Sequence, residues 1–248
     1  MMPIGDDNSD RLTTPYVNYA IIALNVLVFV IFQQLGNNQR FDNAWSSVPA
    51  EIASGRDVVT PNQVLTDPAT GRQVVALGLQ PTPISVYLTL ITSIFMHGSI
   101  AHIGGNMLFL YIFGDNVEDR IGHMRYVIFY LLVGVLASLA NVMSTFMFGG
   151  DPLIPSLGAS GAISGILGAY LLLFPQKQVR VIVMSFMVTS VPAIIAVGLW
   201  FVLQFAQSLG FLGASGGVAY AAHVGGFIAG LLLIKFFTIG TQLPWGRV

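Results

Sequence analysis

The reactive chemistry of this 248-residue chain rests on a few polar side chains set in apolar sequence: His97, His102, Asn106, Ser160 and His223. Cysteine is absent, which excludes a thiol nucleophile, thiolate metal sites and disulfides. A serine hydroxyl becomes a nucleophile when a neighbouring base takes its proton, and histidine is the most frequent such base. Ser160 and His223 form the candidate pair. His102 and Asn106 stand four residues apart, share a helix face, and could donate hydrogen bonds to an oxyanion. Ser160 would open a helix, whose free N–H groups and dipole favour the same developing charge. There are rivals. Gly158-Ala159-Ser160-Gly161 recurs as Gly213-Ala214-Ser215-Gly216. Ser215, in a predicted loop, precedes His223 by eight residues, roughly 12 Å along one helix. Ser160 sits on a different element and can face the histidine. Ser164, one turn deeper, is the next candidate. Asp151 is the only acid near this level, so a Ser–His dyad is the simplest reading.

The elements that must position these groups follow from composition. Hydrophobic residues make up 54% of the chain and charged residues 8%, against about 25% charged in soluble domains. Too little polar surface is present for a soluble enzyme, and a net charge of −1 gives no sign of a nucleic-acid partner. Apolar runs at Tyr16–Leu35, Ser99–Phe113, Tyr126–Phe148, Gly158–Phe174, Val179–Phe211 and Val218–Ile239 predict an all-α polytopic membrane protein with six spans. The membrane domain covers residues 16–239. Residues 1–15 read as a polar tail without signal-peptide features, and 240–248 as a second tail. A long polar loop fills 36–83, and Ile84–Met96 is too short to span, which predicts an interfacial or re-entrant segment. The fifth run is too long for one straight span, with a kink at Pro192, an outer end lying along the interface, or a seventh span as the alternatives.

With six spans, Arg11, Arg120, Arg125, Lys177, Arg180, Lys235 and Arg247 fall on one side. The connections 149–157 and 212–217 contain no Lys or Arg. The positive-inside rule then puts both termini in the cytoplasm, with the plasma membrane as the expected location. The second, fourth and sixth spans run inward, so His102, Asn106, Ser160 and His223 lie at one depth near the outer surface.

Taken together, His97-x4-His102-x3-Asn106, Val117-Glu118-Asp119-Arg120-Ile121-Gly122, Gly158-Ala159-Ser160-Gly161 and Ala222-His223-Val224-Gly225-Gly226 with Gly230 resemble the rhomboid intramembrane serine proteases. The resemblance covers about residues 84–239. It implies a rhomboid-like six-helix bundle with a long outer first loop, cleaving transmembrane protein substrates in the lipid bilayer without cofactor or metal. By motif, Ser160 is the nucleophile and His223 the base. His102 and Asn106, with the Ser160 amide, form the oxyanion hole; His97 and the Glu118–Arg120 motif are structural. Three positions depart from the family pattern. Leu88 and Thr89 replace a Trp-Arg pair, and Ser164 replaces an aromatic that stacks on the catalytic histidine.

Each residue also has a plainer role. Serine in a membrane helix commonly packs or donates to a carbonyl, and a lone histidine can be a hydrogen-bonded core residue. Gly161-x3-Gly165 and Gly226-x3-Gly230 are expected to let helices approach closely. Glu118 and Arg120 are expected to be a solvated or capping pair. Two other function classes stand beside the protease: a catalytically inactive rhomboid-like protein that binds membrane clients, and a transporter or channel. Retention of both Ser160 and His223 speaks against the first. The clustering of polar groups at one end, without an evident inverted repeat, speaks against the second. The sequence leaves the oligomeric state open. The fifth run, with Pro192, Trp200, Phe201 and a polar end at Gln204, Gln207 and Ser208, is the expected lateral gate for a substrate.

Overall fold

The computed structural model describes residues 2–66, 71, 73–183, 187–209 and 219–241. Ser215 and the second Gly-Ala-Ser-Gly lie outside them. In chain order the elements are β1 (Met2–Asp6), α1 (Tyr16–Leu27), α2 (Gln39–Trp45), α3 (Pro49–Ser54), β2 (Gln63–Thr66), β3 (Gln73–Ala76) and α4 (Thr89–Thr92). They continue as α5 (Ile100–Ile121), α6 (His123–Met147), α7 (Ser160–Leu173), β4 (Gln178–Val183), β5 (Met187–Pro192), α8 (Ala193–Ser208) and α9 (Tyr220–Phe237).

The bundle is built around α7. Gly161–Tyr170 are all buried, as expected of a helix enclosed on every side. Helices α5, α6, α8 and α9 surround it. Among the described residues, α6 and α9 are long and apolar enough to cross a bilayer alone. The segment Val86–Phe95 joins α5 through an 80° bend as a third, matching the short, non-spanning character expected of Ile84–Met96. Tyr16–Phe32, α7 and α8 are shorter apolar helices. The long loop is partly structured, with α2, α3 and the β2–β3 hairpin inside it.

The structure corrects the sequence reading at the fifth run. Its described residues do not form one continuous helix: they begin as two antiparallel paired strands, β4 on β5, and only then become the 16-residue α8. Val179, Val181, Ile182, Val183, Val188 and Val191 score as apolar, but β-branched side chains favour extended backbone. Gln178 to Val181 alternate exposed and buried, a period of two rather than 3.6. Pro192 does not kink a helix; it is the N-cap of α8, where a missing N–H does no harm. The polar stretch 1–15 contains β1, which pairs with β4 to give a three-stranded sheet of order β1-β4-β5.

For Glu118 the structure selects the capping alternative. The motif at 117–121 closes α5 rather than following it. Glu118 is fully buried, not solvated. Its carboxylate accepts from the backbone amides of Val17 (3.0 Å) and Asn18 (2.6 Å) at the start of α1. It therefore caps a helix other than its own, at the end where free amides attract an anion. Asn18 adds a bond to the Leu110 carbonyl and accepts from the Tyr126 hydroxyl. Ion pairs Arg11–Asp115 and Lys177–Asp10 lie at this same end of the bundle, opposite the start of α7.

Candidate active site

The site forms where α7 begins. Gly158 has φ +135°, a conformation few L-residues adopt. Its amide donates to the Ser93 carbonyl at 2.9 Å, which ties the approach to α7 down onto the turn after α4. A Cβ at Gly158 would lie 2.9 Å from His102 Cε1. Only glycine brings this strand of backbone so close to the imidazole. Ala159 is then the N-cap, and Ser160 is the first residue of α7.

Helix α9 brings His223 across. The two helices meet backbone to backbone: a Cβ on Gly226 would lie 2.1 Å from the Gly161 oxygen. This close approach sets His223 Nε2 at 2.8 Å from Ser160 Oγ. The neutral imidazole can accept the serine proton there only if its own proton sits on Nδ1. Nδ1 meets Gln204 Oε1 of α8 at 2.5 Å. The imidazole is bracketed by Trp200, with ring centroids 6.2 Å apart, and by Tyr220, edge-on at 6.1 Å.

His102 and Asn106 come from α5 and face the same cavity of about 830 Å³, which Ser160, His223 and Gln204 also line. The amide of Asn106, Nδ2, is buried and has no partner among the described residues. A buried donor left unpaired is unfavourable, and an acceptor entering the cavity would satisfy it. The Gly98 amide makes a long contact of 3.4 Å to His102 Nδ1. That contact favours the tautomer with hydrogen on Nε2, the atom turned toward Gly158.

The other candidates resolve into different roles. The Ser164 hydroxyl donates to the Ser160 carbonyl at 2.6 Å, a local helix bond that occupies its proton. Asp151 lines the cavity, yet its carboxylate accepts from the Leu153 amide in its own turn. His97 is buried and packs edge-on against His102 at 5.1 Å. Its backbone is clamped by Gln33, whose side chain accepts from the His97 amide (2.8 Å) and donates to its carbonyl (2.9 Å). Gln33 and Gln204 are the two site residues that the sequence reading did not assign. Each is a polar amide in an otherwise apolar run, a pattern that signals a fixed hydrogen-bond partner.

The Rhomboid domain family model matches residues 85–239, more than half of the chain. The chain therefore belongs to the rhomboid family. It is 31% identical over 159 residues to the mitochondrial rhomboid protein 1 of Saccharomyces cerevisiae, covering 62% of this chain and 43% of that protein. It is 36% identical over 141 residues to the rhomboid protease GluP of Bacillus subtilis, covering 57% and 24%. It is 29% identical over 163 residues to the mitochondrial presenilin-associated rhomboid-like protein of Mus musculus, covering 63% and 39%. The chain thus spans less than half the length of these relatives.

Proposed function

We propose that this protein is an intramembrane serine endopeptidase that cleaves transmembrane protein substrates near the outer membrane face. The observation that carries the reading is the 2.8 Å contact of Ser160 Oγ with His223 Nε2 on the wall of a cavity that also holds an unpartnered Asn106 amide. A bundle of six spans with both termini cytoplasmic, in the plasma membrane, fits Arg11, Arg120, Arg125, Lys177, Arg180, Lys235 and Arg247 falling on one side, a pattern that Arg40, Arg56 and Arg72 of the long first loop break.

The chemistry follows from the geometry. His223 Nε2 takes the proton as Ser160 Oγ attacks the scissile carbonyl carbon. The carbonyl oxygen gains negative charge, for which the Asn106 amide, His102 Nε2–H and the backbone N–H of Ser160 are the donors. The protonated imidazole passes its proton to the departing amine, and an acyl ester on Oγ remains. Water, deprotonated by the same imidazole, then hydrolyses the ester and restores Ser160. A helical peptide bond is shielded by its own hydrogen bonding, so the substrate must unwind locally first.

The test is cleavage of a transmembrane substrate by purified protein in detergent, together with labelling by a fluorophosphonate. Ser160→Ala and His223→Ala should each abolish cleavage, because nucleophile and base act as a unit. Asn106→Ala or His102→Ala should lower kcat by roughly 10- to 1000-fold. Labelling should vanish in Ser160→Ala and persist in Ser164→Ala. A wild type that binds substrate without cutting it would instead make the protein an inactive client-binding rhomboid.

A further inference from the structure

We infer that Gln204 is the positioning residue of the catalytic base: its side-chain oxygen holds the proton of His223 on Nδ1 and so keeps Nε2 open toward Ser160. The inference rests on the dyad reading above and extends it to a third side chain on a third helix.

A histidine that accepts a serine proton at Nε2 must carry its own hydrogen on Nδ1. That N–H takes an acceptor, and the acceptor selects the tautomer. In many serine hydrolases a carboxylate does this. Among the described residues, the one acid on this cavity is Asp151, which accepts from the Leu153 amide within its own turn. The neighbouring rings of Trp200 and Tyr220 restrict rotation of the imidazole, but a ring face does not decide between the two nitrogens. Gln204 Oε1 does, at 2.5 Å from Nδ1.

The glutamine amide has a second contact. Its Nε2 donates to Gln207 Oε1, one turn further along α8, at 3.4 Å. That contact agrees with nitrogen turned to Gln207 and oxygen to His223. The relay reads Ser160 O–H to His223 Nε2, His223 Nδ1–H to Gln204 Oε1, Gln204 N–H to Gln207 Oε1. All of it is neutral. A glutamine fixes the tautomer as a carboxylate would, but adds no negative charge to stabilise the imidazolium that forms when the serine proton arrives.

That distinction provides a test that a purely structural role would not pass. Gln204→Leu, Gln204→Glu and Ser160→Ala are compared with wild type on a soluble peptide, as kcat, KM, pH profile and fluorophosphonate labelling rate. Gln204→Leu should lower kcat and labelling by roughly 10- to 100-fold with KM little changed. Gln204→Glu should restore most of kcat and move the acidic limb of the profile up by about one pH unit or more, since a carboxylate on Nδ1 favours the protonated ring. Wild-type kcat in Gln204→Leu beside an inactive Ser160→Ala would overturn the positioning role and leave the dyad standing. So would equal losses in the Leu and Glu variants with an unmoved profile. Cleavage that survives Ser160→Ala would overturn the dyad itself.

Discussion

The two flanks of α9 are built in opposite ways. Toward α7 the contact is backbone on backbone. A Cβ on Gly230 would lie 2.0 Å from the Gly165 oxygen, and one on Gly168 would lie 2.3 Å from the Phe227 oxygen. Toward α8 the contact is made by rings. Phe201 stacks on Phe227 at 4.2 Å, and Trp200 stands 6.4 Å from the same ring. Gly198, the glycine of α8, has nothing within 4 Å of its Cβ position. The rigid flank carries Ser160, the proposed nucleophile, whose distance to His223 the proposed reaction needs held within tenths of an ångström. The ring-packed flank carries Gln204, and its side chains can part without tearing backbone from backbone. On the proposed function, this division would assign the fixing of a reacting pair and the lateral admission of a substrate to different faces of one helix.

Substitution at matched glycines should break the comparison most sharply. Gly230→Leu forces side-chain volume against the α7 backbone, which has no rotamer to yield. Overpacking of this kind costs about 1–3 kcal/mol and at times more, and here it should prevent recovery of folded protein from detergent. Gly198→Leu should be tolerated, because its side chain enters open space and leucine favours helix over glycine by up to about 1 kcal/mol. Thermal unfolding of the two variants separates them. A folded Gly230→Leu protein with wild-type stability would remove the distinction between the flanks. A milder effect is expected at Phe201→Ala. The ring is only partly buried, so the loss should fall below the roughly 3–5 kcal/mol of a fully buried phenylalanine. Loosening α8 should raise the cleavage rate of a transmembrane substrate relative to a short soluble peptide. An unchanged ratio of the two rates would show that this flank does not gate entry.

The same division explains what could be read from sequence. The glycine flank was legible because close helix approach demands small residues at fixed spacing, as in Gly161-x3-Gly165 and Gly226-x3-Gly230, and the structure shows α7 and α9 in that contact. Ser160, His223, His102 and Asn106 stood out as polar groups in apolar runs, and they line one cavity. The ring-packed flank was less legible. Hydropathy merges β4, β5 and α8 into one run, because it does not register that β-branched residues favour strands. Gln204 was visible as polar, yet nothing local shows that a side chain 19 positions before His223 returns to meet it. For Glu118, read as one of a solvated or capping pair, capping is what the structure shows, but which helix it caps was not legible, because Val17 and Asn18 lie 101 and 100 residues away. Long-range pairing of single side chains leaves no periodicity behind.

The last prediction concerns how α8 is held at its other end. There the helix is not free. The Ala193 and Ile194 amides donate to the Lys177 and Pro175 carbonyls, and β5, which leads into α8, belongs to the sheet that β1 completes. β1 is pinned in turn by Asp6, whose carboxyl accepts from the Tyr170 hydroxyl of α7 at 2.7 Å and from the Asn116 amide at 2.8 Å. Burial raises the Asp6 pKa to about 7, a shift opposed by the Tyr170 hydrogen bond and Lys177 and reinforced by the charge of Asp115. A carboxyl raised on folding stabilises the native state while it is protonated. The contribution is complete below the ordinary value of 3.8 and is lost as pH rises through about 7. The unfolding temperature of the wild type should therefore fall, relative to Asp6→Asn, as pH rises across that interval, and the difference should level off above it. The Asp6→Asn side chain retains an oxygen acceptor for Tyr170 and cannot ionise, so the profile of that variant should lack this component. Parallel profiles for the two proteins would mean that Asp6 titrates alike in both states. The anchorage of α8 would then owe nothing to its proton, and the contrast between a fixed and a loose end of that helix would rest on the sheet alone.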